Sequence, residues 1–169
     1  MVRMKTEIKY DLGEIRKVAQ RWPEETSREM DRTMDRIVRR LEGEIVKRTP
    51  AGVGGSAGLR GSIAGEVQTM GRTVTGTVGT PLEYGEVVEL GRRPGKAFPP
   101  VDPIALWARR KLGVSDEKSR GVGFAIARKI AIHGFEGAHM FEEGWKAIES
   151  WAQTELMGIG ERVIRRVEA

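Results

Sequence analysis

Residues 30–46 read MDRTMDRIVRRLEGEIV, and this stretch sets the architecture of the chain. Its apolar side chains recur every three or four positions, the period of one helix face, while arginine and glutamate fill the opposite face. Because the pattern continues between Pro23 and Pro50, it predicts a long helix at residues 24–48. The apolar face of that helix consists of Met30, Met34, Ile37, Val38, Leu41, Ile45 and Val46.

The residues before this helix predict a strand and a shorter helix. Residues 2–9 alternate apolar and polar side chains, which is the period of an edge or early strand with one buried face. Asp11 and Glu14 resemble a capping box, and apolar positions follow at helical spacing. A helix is therefore expected at residues 12–22.

A glycine-rich loop and a β-hairpin are predicted after the long helix. Residues 49–61, TPAGVGGSAGLRG, contain five glycines, too many for a helix or a regular strand. Residues 62–69 and 73–79 then alternate around a short turn, as the two strands of a hairpin do. Residues 84–90 predict a short helical turn.

The second half of the chain is predicted to be mainly helical. Residues 91–101, GRRPGKAFPPV, form a basic loop rich in glycine and proline. Asp102 is the expected cap of a helix at residues 103–112, with proline at its first position. Ser115 is the expected cap of the next helix, which runs to Ile132.

The last predicted element is an amphipathic helix that starts near Phe141 and can continue to Val167. Together these elements define an α+β fold. A small antiparallel sheet, which includes the hairpin, packs against the long N-terminal-half helix, and a helical C-terminal part follows. We expect a single domain over residues 1–169, with helix plus sheet at residues 1–100 and the helical part at residues 101–169.

Composition narrows the classes of function. The chain has 169 residues and no cysteine, which excludes disulfides, a thiolate nucleophile and cysteine metal sites. No apolar run approaches the length of a membrane span, so we expect no membrane partner. The net charge of +5 is compatible with nucleic-acid binding, although the basic excess is spread along the chain without a dense basic tail.

The sequence offers no convincing catalytic or cofactor site. GRRPGKAF lacks the glycine spacing and the hydroxyl residue of a phosphate-binding loop. His133, Glu136 and His139 match no usual metal-ligand spacing, and turn histidines without a metal are the preferred interpretation. Glu83, Glu86 and Glu89 are better explained as a solvated face or an inter-subunit contact than as paired catalytic acids. We therefore expect no enzyme, no catalytic residue, no cofactor and no metal.

The densest basic cluster beside an aromatic residue lies in the predicted loop at residues 91–101. Three cations accompany one phenylalanine there, a weak version of the interleaving found in single-strand binders. A solvated loop, a protein-interface loop and a DNA contact all remain open. The cluster consists of Arg92, Arg93, Lys96 and Phe98.

The order of these segments resembles that of the tail-completion, or head–tail joining, proteins of long-tailed bacteriophages, often grouped with the minor tail protein Z type. The resemblance runs from about Glu44 to Phe141. Its most specific parts are LRGSI at residues 59–63, YGEVVELG at residues 84–91, and the helix with WARRKLG at residues 107–113.

The resemblance implies a structural virion protein at the neck, where a ring, expected to be a hexamer, joins the head to the tail tube. Its implied partners are further copies of itself, a portal-side connector or stopper protein, a tail tube or tail terminator protein, and genomic DNA that passes through the lumen without base-specific contacts. Assembly is implied to occur in the host cytoplasm. The candidate interface or lumen residues are Arg60, Arg92, Arg93, Lys96 and Phe98, and the candidate subunit contacts are Tyr84, Glu86 and Glu89.

Two alternatives remain open. One is another minor tail component, such as a tail terminator. The other is a nucleic-acid-binding protein whose affinity falls steeply with salt. Its contact residues would be Arg92, Arg93, Lys96, Arg109, Arg110 and Lys111.

Overall fold

The structure is a computed structural model that describes residues 4–11, 15–51, 58–71 and 73–169. Parts of three predicted elements fall outside these ranges. They are the start of the first strand, the start of the first helix and the middle of the glycine-rich loop.

The chain forms two compact units, each assembled from separate segments. Both units draw residues from either side of residue 100, and the single domain over residues 1–169 stays a prediction. Unit 1 comprises Met1–Met4, Arg48–Ser62 and Thr80–Met140, and unit 2 comprises Lys5–Lys47, Ile63–Gly79 and Phe141–Ala169.

Unit 2 is built on a three-stranded sheet. Its strands are β1 (Met4–Asp11), β2 (Ala64–Met70) and β3 (Thr73–Thr80), in the order β1-β3-β2. β2 and β3 pair antiparallel with Val67 opposite Gly76, which confirms the predicted hairpin. β1 lies at an edge of the sheet, as predicted, but it extends to Asp11 rather than ending at residue 9.

The predicted long helix is α2 (Pro23–Arg48), and its apolar face covers one side of the sheet. Close approach is possible because β3 presents a glycine there: a Cβ on Gly76 would lie 2.5 Å from a methyl group of Val38. The Gly65 N–H also donates to the Glu42 carboxylate at 3.0 Å. The α+β fold class is confirmed, with this helix and the hairpin as its framework.

The first helix is shorter than predicted. α1 (Arg16–Arg21) has Ile15 at its N-cap position. Asp11 is the last residue of β1 and Ile15 is at the N-cap position of α1, so Asp11 is not the N-cap residue of this helix. Glu14, the other residue of the predicted capping box, lies outside the described ranges.

The single C-terminal helix expected up to Val167 is wrong. The structure has two helices, α7 (Met140–Met157) and α8 (Ile159–Val167), separated by a turn at Gly158. Glycine is a weak helix former, and the break allows α8 to bury Ile159 and Val163 completely.

A buried charge cluster joins α8 to α2. Glu29 is only 1 % exposed, and its carboxylate accepts hydrogen bonds from Arg162 Nε at 2.7 Å and Arg166 Nη1 at 2.9 Å. Arg36 Nη2 lies 3.7 Å from the same carboxylate and donates to Glu155 at 2.9 Å. Burial raises the pKa of Glu29, but the arginine hydrogen bonds outweigh it and hold that pKa below its ordinary value. No local pattern in the sequence predicts this cluster.

Unit 1 contains the other helices and a second, two-stranded sheet. The glycine-rich segment ends in a short helix rather than a loop, because Leu59 is apolar and is buried there at 5 % exposure. The predicted helical turn after the hairpin is confirmed as α4. These elements are α3 (Leu59–Ser62), α4 (Tyr84–Leu90), α5 (Val101–Leu112), α6 (Asp116–His133), β4 (Gly91–Arg92) and β5 (Phe135–Glu136).

α5 begins earlier than predicted. Pro100 occupies its N-cap position in an extended conformation, so Asp102 lies inside the first turn and is not the cap. Proline fits anywhere in this turn, because the first amide groups of a helix have no intrahelical acceptor. Gly113 ends α5 in the left-handed conformation, and Ser115 occupies the N-cap position of α6, as predicted.

Within the described ranges, no helix is both long enough and apolar enough to cross a membrane.

Candidate interaction surface

The base of the basic loop is fixed to the end of α6 by the β4–β5 sheet. Gly91 pairs with Glu136 and Arg92 pairs with Phe135. Gly134 makes this close pairing possible: it has φ +68°, and a Cβ there would overlap the carbonyl oxygen of Arg92. Neither strand was predicted from the sequence, and β4 lies within the predicted loop.

The loop itself is held at several points. The Gly95 N–H donates to the Ala131 carbonyl of α6 at 2.9 Å. Arg92 is half-buried, and its guanidinium donates to the Ala97 carbonyl. Arg92 is therefore less exposed than predicted, because its guanidinium holds the loop, whereas Arg93 and Lys96 are exposed.

An aromatic pair ends the loop. The rings of Phe98 and Phe124 have centroids 5.3 Å apart and are tilted by 34°. Their side chains remain 47 % and 54 % exposed, so the pair presents apolar surface beside the cations of the loop. Phe124, on α6, was not singled out in the sequence.

Arg60 occupies a different place from the rest of the predicted loop cluster. It lies on α3, is exposed, and donates from Nε to the Thr49 carbonyl at 2.5 Å. The structure thus brings Arg93, Lys96 and Phe98 together on one loop and places Arg60 on α3.

The predicted subunit contacts on α4 separate into exposed and buried residues. Glu86 is exposed, whereas Glu89 is buried at 4 % exposure, so Glu89 cannot be part of an accessible contact surface. The reason is helical geometry: residues spaced by three rotate by about 60° per step, which turns Glu89 away from Glu83.

Tyr84 is 45 % exposed at the start of α4. Burial of part of its side chain raises the pKa of Tyr84, although a hydrogen bond with the Leu59 backbone opposes the shift. This bond fixes Tyr84 to α3 and leaves its remaining surface accessible.

The exposed stripe of α4 combines acidic and apolar side chains. Four positions share one side of this helix and are exposed, and two of them are large apolar residues, at 37 % and 64 % exposure. We call Glu83, Glu86, Val87 and Leu90 the α4 stripe.

Helix α6 has two apolar faces. Small buried residues, Ser119, Gly123 and Ala127, form the inner face, and a Cβ on Gly123 would lie only 2.8 Å from the backbone nitrogen of Ala105 in α5. The opposite face is exposed, with Phe124 at 54 % and Ile132 at 53 %.

The outer face of α6 also carries cations, and its spacing of three and four residues is visible in the sequence. The sequence-based prediction gave only the cap and the bounds of this helix and not its outer face. We call Gly121, Phe124, Arg128 and Ile132 the α6 stripe; Lys129 lies beside it.

Unit 1 holds both the excess charge and most of the exposed apolar surface. It contains 13 Lys and Arg against 7 Asp and Glu, a net charge of +6, whereas unit 2 has 16 against 17 and a net charge of −1. Ten large apolar side chains are well exposed in the described ranges, and eight of them lie in unit 1. Such a surface is suited to contacts with other macromolecules.

His133 and His139 lie on either side of β5. Among the residues that the structure describes, no group of three or more histidine and carboxylate side chains is placed to hold a metal ion.

An α+β chain that exposes a basic and apolar surface has the features of an assembly component, and a family model matches part of it. Residues 13–91, somewhat less than half of the chain, match the family described as "Bacteriophage HK97-gp10, putative tail-component". This match confirms the resemblance to a bacteriophage tail family over these residues and supports a structural, tail-related role. The matched segment includes α2, the hairpin and α4, and it ends at Gly91, the first residue of the basic loop. No curated protein and no solved structure matches the chain significantly.

Proposed function

We propose that this chain is the subunit of a hexameric ring at the neck of the virion, where it joins the DNA-filled head to the tail tube. The observation that carries this proposal is the concentration of exposed apolar side chains in unit 1 of a phage tail component. A closed ring needs two different contact surfaces on each subunit, and unit 1 carries the α4 stripe and the α6 stripe.

In this role the protein acts by binding and not by catalysis. One rim of the ring contacts a portal-side connector or stopper protein, and the other contacts the tail tube or a tail terminator protein. Genomic DNA passes through the lumen without base-specific contacts. Assembly takes place in the host cytoplasm, and the finished protein resides in the virion.

The exposed cations of the basic loop provide the first test. Changing Arg93 and Lys96 together to alanine is expected to leave the melting temperature within about 2 °C of the wild-type value. Substitutions of exposed side chains change the free energy of unfolding by about 0.5 kcal/mol or less. Joining of heads to tails is expected to fall at least about tenfold, the effect of losing charge-assisted contacts. The measurement is a count of complete particles when purified protein is added to an extract that lacks it and contains separate heads and tails.

Lys17→Ala is the matched control, because Lys17 is an exposed cation of unit 2 and should support normal joining. Separate heads and tails that join fully without the added protein would contradict the proposed function. Normal joining by the double variant would remove the loop from the mechanism and leave the ring proposal standing.

A second candidate function, nucleic-acid binding, is favoured by the net charge of +6 in unit 1. Arg93, Lys96, Arg110 and Lys111 are exposed and have no ion-pair partner in the described part of the chain. If all four neutralise phosphates, log K for duplex DNA is expected to fall against log salt with a slope of about −3.6. Fluorescence anisotropy between low and moderate salt measures this slope, and a slope near zero would exclude the second function.

A further inference from the structure

We propose that the α4 stripe of one copy of this chain docks on the α6 stripe of the next copy. The inference rests on the proposed ring and names the two surfaces that close it. It also explains why unit 1 leaves two separate helical faces uncovered.

The α4 stripe and the α6 stripe carry opposite charges. The α4 stripe carries Glu83 and Glu86 beside its apolar residues, whereas the α6 stripe carries Arg128, with Lys129 beside it. Glu86, Arg128 and Lys129 are exposed and have no ion-pair partner within the described residues. Opposite charges on two uncovered faces favour contact between these faces, while contact of either face with itself would place like charges together.

Both stripes also expose large apolar side chains. Val87 and Leu90 of α4 and Phe124 and Ile132 of α6 are between 37 % and 64 % exposed. Apolar anchors surrounded by charged side chains are the usual arrangement of a specific protein interface. The Phe98 ring stacks on Phe124 and widens the apolar part of the α6 side.

Helix α6 has apolar residues on its outer face as well as small residues on its inner face. Its inner face already packs on α5 through small residues, so the outer apolar residues contribute nothing to that packing. A helix with apolar residues on both faces is normally covered on both. An acidic, apolar helix of a second copy has the complementary chemistry to cover the outer face.

Cysteine cross-linking tests the contact directly, because the chain contains no cysteine. We would prepare Val87→Cys in isotopically labelled form and Phe124→Cys unlabelled, mix them, and oxidise with copper phenanthroline and oxygen. Each disulfide forms from two thiols, which lose two protons and two electrons to the oxidant. Mass spectrometry separates mixed from identical pairs. Met157→Cys is the matched control, since Met157 is 73 % exposed and belongs to unit 2.

The expected result is a mixed disulfide at least about tenfold more abundant than either identical pair, since a disulfide requires Cα atoms within about 7 Å. Identical pairs of Val87→Cys or of Phe124→Cys in comparable amount would overturn the proposal, because they indicate a face meeting itself. A mixed yield no higher than with Met157→Cys would overturn it as well.

Charge exchange supplies a second readout. Glu86→Arg and Arg128→Glu are each expected to weaken self-association at least about tenfold in sedimentation experiments, and the two changes in one chain are expected to restore it. Circular dichroism checks that each variant is folded. Unchanged association in both single variants contradicts the contact.

The two proposals fail in different ways. Cross-linked, charge-rescued oligomers that do not join heads to tails would refute the proposed function and leave the α4–α6 contact intact. Normal head–tail joining by Glu86→Arg and Arg128→Glu would refute the contact and leave the function standing.

Discussion

Replacing Arg162 by methionine is expected to lower the free energy of unfolding by about 3 kcal/mol. The guanidinium donates to the Glu29 carboxylate at 2.7 Å, to Thr33 Oγ1 at 3.0 Å and to the Glu155 carbonyl at 2.6 Å. Methionine keeps much of the volume but leaves the carboxylate, 1 % exposed, with Arg166 as its remaining hydrogen-bonded cation. A buried charge that loses a partner keeps its full desolvation cost.

Urea unfolding of the wild-type protein and the variant measures this difference, with Arg165→Met as the control. Arg165 is on the same helix and pairs with Glu161, but its side chain is 75 % exposed. The control is expected to change stability by less than about 0.5 kcal/mol. Equal effects of the two substitutions would show that the Glu29 cluster does not stabilise the fold.

The same cluster makes stability depend on pH. Since the pKa of Glu29 is lower in the folded state, its ionised form stabilises the fold above the unfolded pKa of about 4.3. That contribution is lost as the pH falls through the folded pKa. In Arg162→Met the folded pKa of Glu29 is expected to rise, so unfolding free energies measured from pH 7 to pH 3 should fall less steeply than in the wild type.

Gly134→Ala is expected to lower the free energy of unfolding by about 3 kcal/mol. The structural change is expected to be largest at the candidate interaction surface. The residue has φ +68°, which costs an alanine about 1–2 kcal/mol, and its new methyl group would meet the Arg92 carbonyl. Because that carbonyl is backbone, the strain can be relieved only by opening the β4–β5 sheet. Amide hydrogen exchange should therefore rise at Arg92 and Gly95 before it rises in unit 2.

Gly43→Ala is the matched control for this substitution. Gly43 lies in helix α2, and a Cβ added there would have no atom within 4 Å. Alanine at this position is expected to stabilise the protein by about 0.5–1 kcal/mol. A Gly134→Ala protein as stable as wild type, with unchanged exchange, would contradict the role assigned to the β4–β5 sheet.

Elements with a strong local period could be predicted from the sequence. The spacing of apolar residues from Met30 to Val46 predicted the start of α2 to within one residue. The alternation of apolar and polar residues predicted β2 and β3. β4 and β5 could not be found, because each has two residues and is defined only by its distant partner. The Glu29 cluster could not be predicted for a similar reason, because Arg162 lies 133 positions after Glu29 in the sequence.

The candidate surface was predicted in part. Composition pointed to Arg93, Lys96 and Phe98, all of which are exposed on one loop. It could not show that Arg92 is engaged by a carbonyl, or that the rotation of α4 buries Glu89, because both depend on tertiary packing. The predicted contacts with other subunits, a connector or DNA stay predictions. The cross-linking, joining and salt experiments test them.

The interleaved arrangement of the two units has a consequence for biosynthesis. Unit 2 needs Phe141–Ala169, which leave the ribosome after all the other segments, while Thr80–Met140 of unit 1 has already been translated. Helix α2 must therefore wait, with Glu29 lacking its arginines, until Arg162 and Arg166 have been translated. A nonsense mutation at Gly158 would release a nascent chain without Arg162 and Arg166, and such chains are expected to be cleared by cellular proteases.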